Sequence, residues 1–404
     1  MLSSITIEGF KSIAERVTVE LGRVNVFIGA NASGKSALLE AIGVLGAAAS
    51  GRVDDAALSH RGVRPGVPAL YKSALKGRRY RRFISLHAEW RNEGATASYE
   101  VGLDNPIAKP DPAWRYSTES VGKGGRLLAG YGRSPRTKSL PVDQFTGLAA
   151  RGPGTDEFKG APESLIRALE QYAIYSPTTA VLRGIEPDAH QRSPVGLSGG
   201  RLAEALSETI RKDRIVRMMG FAGLLDWVSG MGVQHLGVRA VQPSKKTLPP
   251  SVPAPTLTVG FWDRYMREGR NQLVAYDASE GALYVLFLMI LAAHPNAPPV
   301  FGIDNFDTAM HPRLARAVTR VLCKDMLDAK QSRQVLLTTH NPLVLDGLDL
   351  RNDRIRLFGV ERGTSGTTKV HRITVSPEVI AQAKQGMTLS RLWVMGRLGA
   401  VPNV

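Results

Sequence analysis

The chain alternates between short apolar runs and longer stretches with helical period. "SITIEGF" and "RVNVFIGA" are strand-like, and "KSALLEAIGVLGAAA" (35–49) follows the second at once as a helix. Residues 51–70 are rich in glycine and proline and predict loop. Within 80–103, "YRRFISLHAEW" and "TASYEVGL" alternate as antiparallel strands do. Residues 104–160, with "VGKGGRLLAGYGRSPRTK", predict a mobile insertion or a long irregular connection. "APESLIRALEQYAIYS" and "GGRLAEALSETIRKDRIVRMMGFAGLLDWVSGM" are helical by period, and "HLGVRAVQP" and "TLTVGFWDRYM" are strand-like. A buried helix (281–293), a strand (299–303), a helix (312–329), a strand (334–339) and a strand pair near 354–373 follow. The whole is an α/β pattern. No repeat or heptad run is present, which argues against a long coiled coil.

Composition narrows the picture. The chain has 404 residues, 43% of them apolar, enough for two or three lobes around a large core. Its single cysteine, Cys323, excludes an intrachain disulfide and a thiolate zinc site, and makes the cytoplasm the expected compartment. "MLSSITIEGF" lacks the pattern of a signal peptide. The longest apolar run, "GALYVLFLMILAA", is too short to span a bilayer, so no membrane is expected. The net charge of +16 raises the prospect of nucleic acid or an acidic partner. The densest basic run is "YKSALKGRRYRRF" (71–83). It reads as a solvated edge strand and turn, or as a phosphate-contacting surface over 72–82 with Tyr80 and Phe83 interleaved.

The chemistry begins with "GANASGKS" (29–36). It matches G-x-x-x-x-G-K-[ST] and stands between an apolar strand and a helix, the context that a phosphate loop requires. Gly29 and Gly34 let the backbone curl, so that the N–H groups of a loop including Asn31, Ser33 and Ala37 face phosphate. Lys35 reaches the β- and γ-phosphates, and Ser36 supplies a hydroxyl to Mg²⁺. Two further elements separate this site from a generic nucleotide loop. "VFGIDNFDTAMHP" (300–312) ends an apolar strand in Asp304, placed for Mg²⁺. "VLLTTHNP" (335–342) ends another in His340, placed to reach a γ-phosphate.

Two segments resemble the signature by which ABC-type ATPases bind the γ-phosphate held by an opposing subunit. "GLSGGRLAEAL" (196–206) has the look of one, yet it lies far upstream of Asp304 and reads as a glycine turn before a helix. "DASEGALYVLFLMILAA" leads almost directly into the Asp304 strand. There Ser279, Glu280 and Gly281 open a helix, with Ser279 able to cap it and free N–H groups able to face phosphate.

Together "ITIEGFKSI" (5–13), the loop at 29–36, the Ser-x-Gly opening at 279, "IDNFDTAMHP" and "TTHNP" resemble the RecF/SMC-like ABC ATPases. They resemble more closely the stand-alone bacterial ATPases of the OLD-like, phage-defence type. The resemblance covers roughly 1–60 and 270–345. It implies an α/β P-loop NTPase of ABC type: a mixed sheet core with an antiparallel β lobe and a helical lobe. The expected division is 1–103 and 276–404 for the two parts of the ATPase core, and 104–275 for a helical insertion lobe. It also implies ATP and Mg²⁺, and a homodimer or higher oligomer whose nucleotides lie between Lys35 of one copy and Ser279 of another. Lys11, the lysine of "FKS", is a secondary phosphate ligand by the same resemblance.

Two departures qualify it. No glutamine lies between Ser36 and Arg82 to sense the metal, and Gln144 is a remote substitute. Asn305 stands where the family carries a glutamate. An amide cannot take a proton, and such general-base help is worth about 10²–10⁴ in rate. Asn305 can still orient water, Asp307 can substitute if its loop turns inward, and His340 can assist. The expectation is a slow ATPase acting as a dimerisation switch with nucleic acid or a separate effector, nuclease or toxin. The alternative is an ATP-bound scaffold with no turnover. A nucleoside kinase and a transporter subunit are disfavoured by the signature and His340 elements and by the long middle region. The stretch after His340 is too short for an appended nuclease domain.

Overall fold

The protein is described from a computed structural model that covers residues 1–78, 81–92, 94–131, 143–212, 235–252, 254–328, 333–374 and 387–398. The helical reading of 213–231, Arg79 and Tyr80 of the basic run, and residue 329 lie outside the described residues.

An antiparallel sheet forms from β1 (Leu2–Glu8), β2 (Val17–Glu20), β4 (Ile84–Asn92), β5 (Ala95–Asp104), β6 (Arg115–Lys123) and β7 (Arg126–Tyr131). Its order is β2-β1-β4-β5-β6-β7. The last hairpin corrects the expectation of an irregular 104–160. Gly124 and Gly125 both take positive φ (58° and 79°), the two-residue turn that matches strand twist, and Lys123 pairs with Arg126 across it.

A second sheet holds β3 (Val24–Ile28), β8 (Ala173–Tyr175), β12 (Val300–Ile303), β13 (Gln334–Thr339), β14 (Ile355–Arg362) and β15 (Thr368–Ile373). Its order is β15-β14-β3-β13-β12-β8, parallel except for the β14–β15 hairpin. β8 corrects the reading of "AIYS" as helix. It is a three-residue edge strand directly after α4 (Ala161–Gln171). A third small sheet joins β9 (His235–Val241), β10 (Thr258–Asp263) and β11 (Gln272–Val274).

The parallel sheet is buried on both faces, as strands covered by helices on each side must be. Val24, Val26 and Ile28 of β3 face one core while Phe27 faces the other. Val335 and Leu337 of β13 oppose Leu336 in the same way. α1 (Lys35–Ala49) is inserted between the parallel and antiparallel sheets and is buried along nearly its whole length. On the opposite face pack the short α5 (Thr179–Leu182, through Leu182), α6 (Leu202–Lys212), α7 (Glu280–Ala293) and α8 (Pro312–Asp328). α7 is apolar all round and is accordingly buried between neighbours. The expected loop at 51–70 contains two short helices, α2 (Asp55–Ser59) and α3 (Pro68–Tyr71). Asp54 caps the first through Ala57 N–H at 2.9 Å. Among the described residues no helix is long and apolar enough to cross a membrane.

Candidate nucleotide site

β3 delivers the chain into the 29–36 turn at the carboxyl edge of the parallel sheet, and α1 leaves it. Gly29 has no room for a side chain, because a Cβ would meet the Val360 carbonyl of β14 at 2.0 Å. Gly34 has φ 110° and would meet Thr368 Oγ1 at 2.3 Å. The first backbone bond of α1 is Leu38 N–H to Gly34 O, 3.2 Å, so the preceding N–H groups of Lys35, Ser36 and Ala37 carry the positive end of the helix dipole. A cavity of about 270 Å³ opens over this turn. It is lined by Asn31 through Ala37 together with Lys11, Ser12, Arg64 and Asn305.

Inside it Lys35 Nζ donates to the carbonyls of Gly29 and Ala30, both at 2.8 Å. Burial lowers the Lys35 pKa, opposed by Asp304 and Asp307. Two strands away, with β13 between, β12 ends in Asp304. Ser36 Oγ donates to both oxygens of that carboxylate, at 3.0 and 2.9 Å. Thr338 Oγ1, at the end of β13, donates to the same carboxylate at 2.5 Å and accepts the Asn305 N–H at 2.8 Å. The strand order therefore makes Thr338 a bridge between Ser36, Asp304 and Asn305.

Among the described residues four non-glycine positions take positive φ: Lys11 (49°), Ala32 (60°), Asn305 (49°) and Ala309 (61°). Three of them line the cavity. Such a conformation costs roughly 1–2 kcal/mol for an ordinary residue and collects where surrounding structure imposes it, commonly at functional sites.

Asp307 is turned inward and 6% exposed, next to Thr339, with Oδ1 lacking a hydrogen-bond partner. Burial raises its pKa. His340 is exposed at the end of β13. Lys11 reaches the cavity while holding Glu40 at 2.5 Å, and Arg64 holds the same carboxylate at 2.7 Å. Against burial, which would raise it, these two cations keep the Glu40 carboxyl below the usual range.

The signature residues are not brought to this cavity within one chain. Ser279 stands at the N-cap of α7, but its side chain makes no capping bond, which corrects that expectation. Glu280 accepts a hydrogen bond from Thr179, and Gly281 abuts Leu314 of α8. Gln144 sits apart, its carbonyl paired with Tyr116 N–H at 2.8 Å. The basic run is corrected in part. Lys72 is buried on Asp104 at 2.6 Å, Arg82 shares that carboxylate at 3.1 Å, and Arg78 and Arg81 pair with Glu15 and Glu8. "LSGG" is a glycine turn, as expected, and Asp188 fills it. Ser198 and Gly200 N–H groups each donate to Asp188 Oδ2 at 3.0 Å.

Sequence reasoning missed Arg64, Glu40, Thr338 and Thr368. Glu40 was findable, one helical turn beyond Ser36 on the same face of α1. Thr338 stood in the quoted "TTHNP". Thr368 reaches Ser33 O (2.8 Å) and Ser12 Oγ (2.7 Å) from the far end of the chain, and no local signal announces it.

Residues 1–57 match the family described as AAA ATPase domain. Residues 252–346 match the AAA domain family described as putative AbiEii toxin, type IV TA system. The fold is similar to an SMC head bound to the C-terminal winged-helix domain of ScpA: TM-score 0.55, 14% identity, 94% of this chain and 99% of that one. It is also similar to the SMC head with an extended coiled coil from Pyrococcus furiosus, bound to the C-terminal domain of ScpA. There the TM-score is 0.53 at 11% identity, over 96% and 99% of the two chains. The chain has the RecF/SMC-like ATPase head fold, with AAA ATPase family sequence matched at 1–57 and 252–346. None of the curated proteins matches it. At identities this low the SMC heads speak for the fold alone.

Proposed function

We propose that the chain is an ATP-dependent dimerisation switch that hydrolyses slowly and governs nucleic acid or a separate effector protein, of the DNA-repair or anti-phage class. One observation carries this reading. The hydroxyls of Ser36 and Thr338 meet on Asp304 within 3.0 Å, beside Lys35 in a turn whose helix N-terminus is open. Lys35 and the N–H groups of Gly34 through Ala37 bind the β- and γ-phosphates. Ser36 and Asp304 would hold Mg²⁺, an oxygen-only pair suited to a hard cation that takes its other ligands from phosphate and water. When bound, that ion would neutralise charge on the transferring phosphoryl group. Asn305 orients the attacking water through its amide. Asp307, a buried carboxylate two residues on, is the substitute base that the Asn305→Glu variant tests.

Ser279, Glu280 and Gly281 complete the site of a second copy. The reading keeps 1–103 and 276–404 as the two parts of the core and the cytoplasm as the compartment; the middle region 104–275 adds β6 and β7 to the antiparallel sheet and β8 to the parallel sheet besides its helices. The toxin–antitoxin wording of one matched family supports a toxin as effector. The test is phosphate release. Lys35→Ala and Ser279→Ala each abolish it alone, and an equimolar mixture regains part of it, because one site of each mixed dimer is intact. No recovery on mixing sinks the composite site.

Asn305 favours a second reading, in which ATP-bound assembly is the working state and turnover is negligible. Wild-type phosphate release equal to that of Lys35→Ala, with ATP-dependent dimerisation retained, would establish it.

A further inference from the structure

α8 begins directly after the loop that carries Asp304, Asn305 and Asp307, and Leu314 on its inner face abuts Gly281 at the start of α7. Its outer face is a single line of cations. Arg313, Arg316, Arg320 and Lys324 are all exposed, at intervals of three, four and four residues, while Leu314, Ala315, Val318, Val321 and Leu322 are buried. The intervals place the four charges on one side of the helix over about 16 Å.

Local physics disfavours this line. Arg316–Arg320 and Arg320–Lys324 are like-charge i,i+4 pairs, which destabilise a helix. Arg313 stands in the first turn, where the dipole repels cations, and that turn holds no acid. Among the described residues none of the four side chains has an ion-pair partner. Asp325 is exposed beside Lys324 but off the line, and the next step of the same spacing is Asp328, the last residue of α8. Surface helices ordinarily mix both signs. The basic run at 71–82, by contrast, pairs Lys72, Arg78, Arg81 and Arg82 with carboxylates of the same chain.

We infer that the outer face of α8 is a docking surface for the phosphodiester backbone of duplex nucleic acid. Charge complementarity selects that partner. From Arg313 to Lys324 the line is purely cationic, among the described residues it carries no exposed large apolar or aromatic side chain of the kind that anchors a protein interface, and a duplex offers a charge every ~1.7 Å of its axis. This rests on the switch reading only for its consequence: α8 links the bound polymer to the Asp304 loop at its N-terminus and to the signature helix at Leu314.

The test is equilibrium binding of a duplex DNA of about 30 base pairs of arbitrary sequence, without nucleotide, from about 50 to 200 mM salt. The expected log–log slope is about −3 to −4, and Arg316→Ala and Arg320→Ala each reduce its magnitude by about 1. Arg316→Glu with Arg320→Glu weakens binding more than about tenfold at low salt, with the thermal midpoint retained. Lys76→Ala, outside the line, leaves the slope of its parent. An unchanged slope in the α8 variants, an equal loss from Lys76→Ala, or polyglutamate bound as tightly as the duplex would each overturn the inference. Lys35→Ala binds the duplex normally while losing turnover, so failure of the ATP reading and failure of this surface show in different measurements.

Discussion

Two glycine turns in this protein begin almost identically and end differently. Gly34 and Gly199 sit just before a helix with φ of 110° and 106°. Each turn aims backbone N–H groups at one point. At "LSGG" that point is taken by the Asp188 carboxylate, and a Cβ at Gly196 or Gly200 would strike Asp188 as well. At "GANASGKS" no carboxylate enters the turn, and the loop's own lysine folds back on two carbonyls. A nest of N–H groups is therefore not a phosphate site until something decides whether an internal anion fills it. Here a residue ten positions upstream of Ser198 decides one case, and among the described residues no carboxylate accepts from the N–H groups of the other turn.

Four measurements break or sharpen this comparison. Asn305→Glu supplies a base beside Asp304 and is expected to raise turnover by about 10²–10⁴. If turnover stays flat, Asp307 already accepts the proton. Lys35→Ala removes the charge from the open turn and is expected to lower turnover by about 10²–10³ with the fold intact. Asp188→Ala empties the closed turn. Stability should fall by about 1–3 kcal/mol in urea melts, because buried N–H groups lose their acceptor, while turnover stays within about twofold. A loss of turnover matching Lys35→Ala would make the two turns functionally alike and end the comparison.

The smallest effect is on pH. Burial raises the Asp307 pKa, so the native state holds that proton more tightly than the unfolded chain. Stability should fall as pH rises from the ordinary carboxylate range through the raised value. The loss is at most about 1.4 kcal/mol for every tenfold by which folding weakens the acid. Asp307→Asn removes that slope, and thermal midpoints at mildly acidic and neutral pH would show it. Glu40 runs the other way, with stability present above its unfolded value and lost as pH falls through the lower native one.

Much of the core was legible because strong local patterns agreed with the tertiary outcome. The strand before Gly29, the helix over 35–49 and the wholly apolar helix from 280 each carry a period or an unbroken run. The hairpin at 115–131 was missed although "KGGR" is a two-glycine hairpin turn, because its strands are half-exposed and weakly apolar. The three-residue β8 was absorbed into the helix before it. An edge strand of that length exists only because β12 offers it a partner.

Sequence alone determined the phosphate loop, the strand that ends in Asp304, the glycine turn at 196–200 and the helix opened by Ser279. Each depends on residues within one turn or one strand of each other. Tertiary structure decided the rest. It placed β13 between the two key strands, so that Thr338 joins Ser36 to Asp304. It turned Asp307 inward, spent Lys72 on Asp104, and filled one of two equal turns with Asp188. The reason is physical. A backbone turn or a helix period is set by neighbours in sequence, whereas the partner of a charge is set by whatever the fold brings within about 3 Å of it.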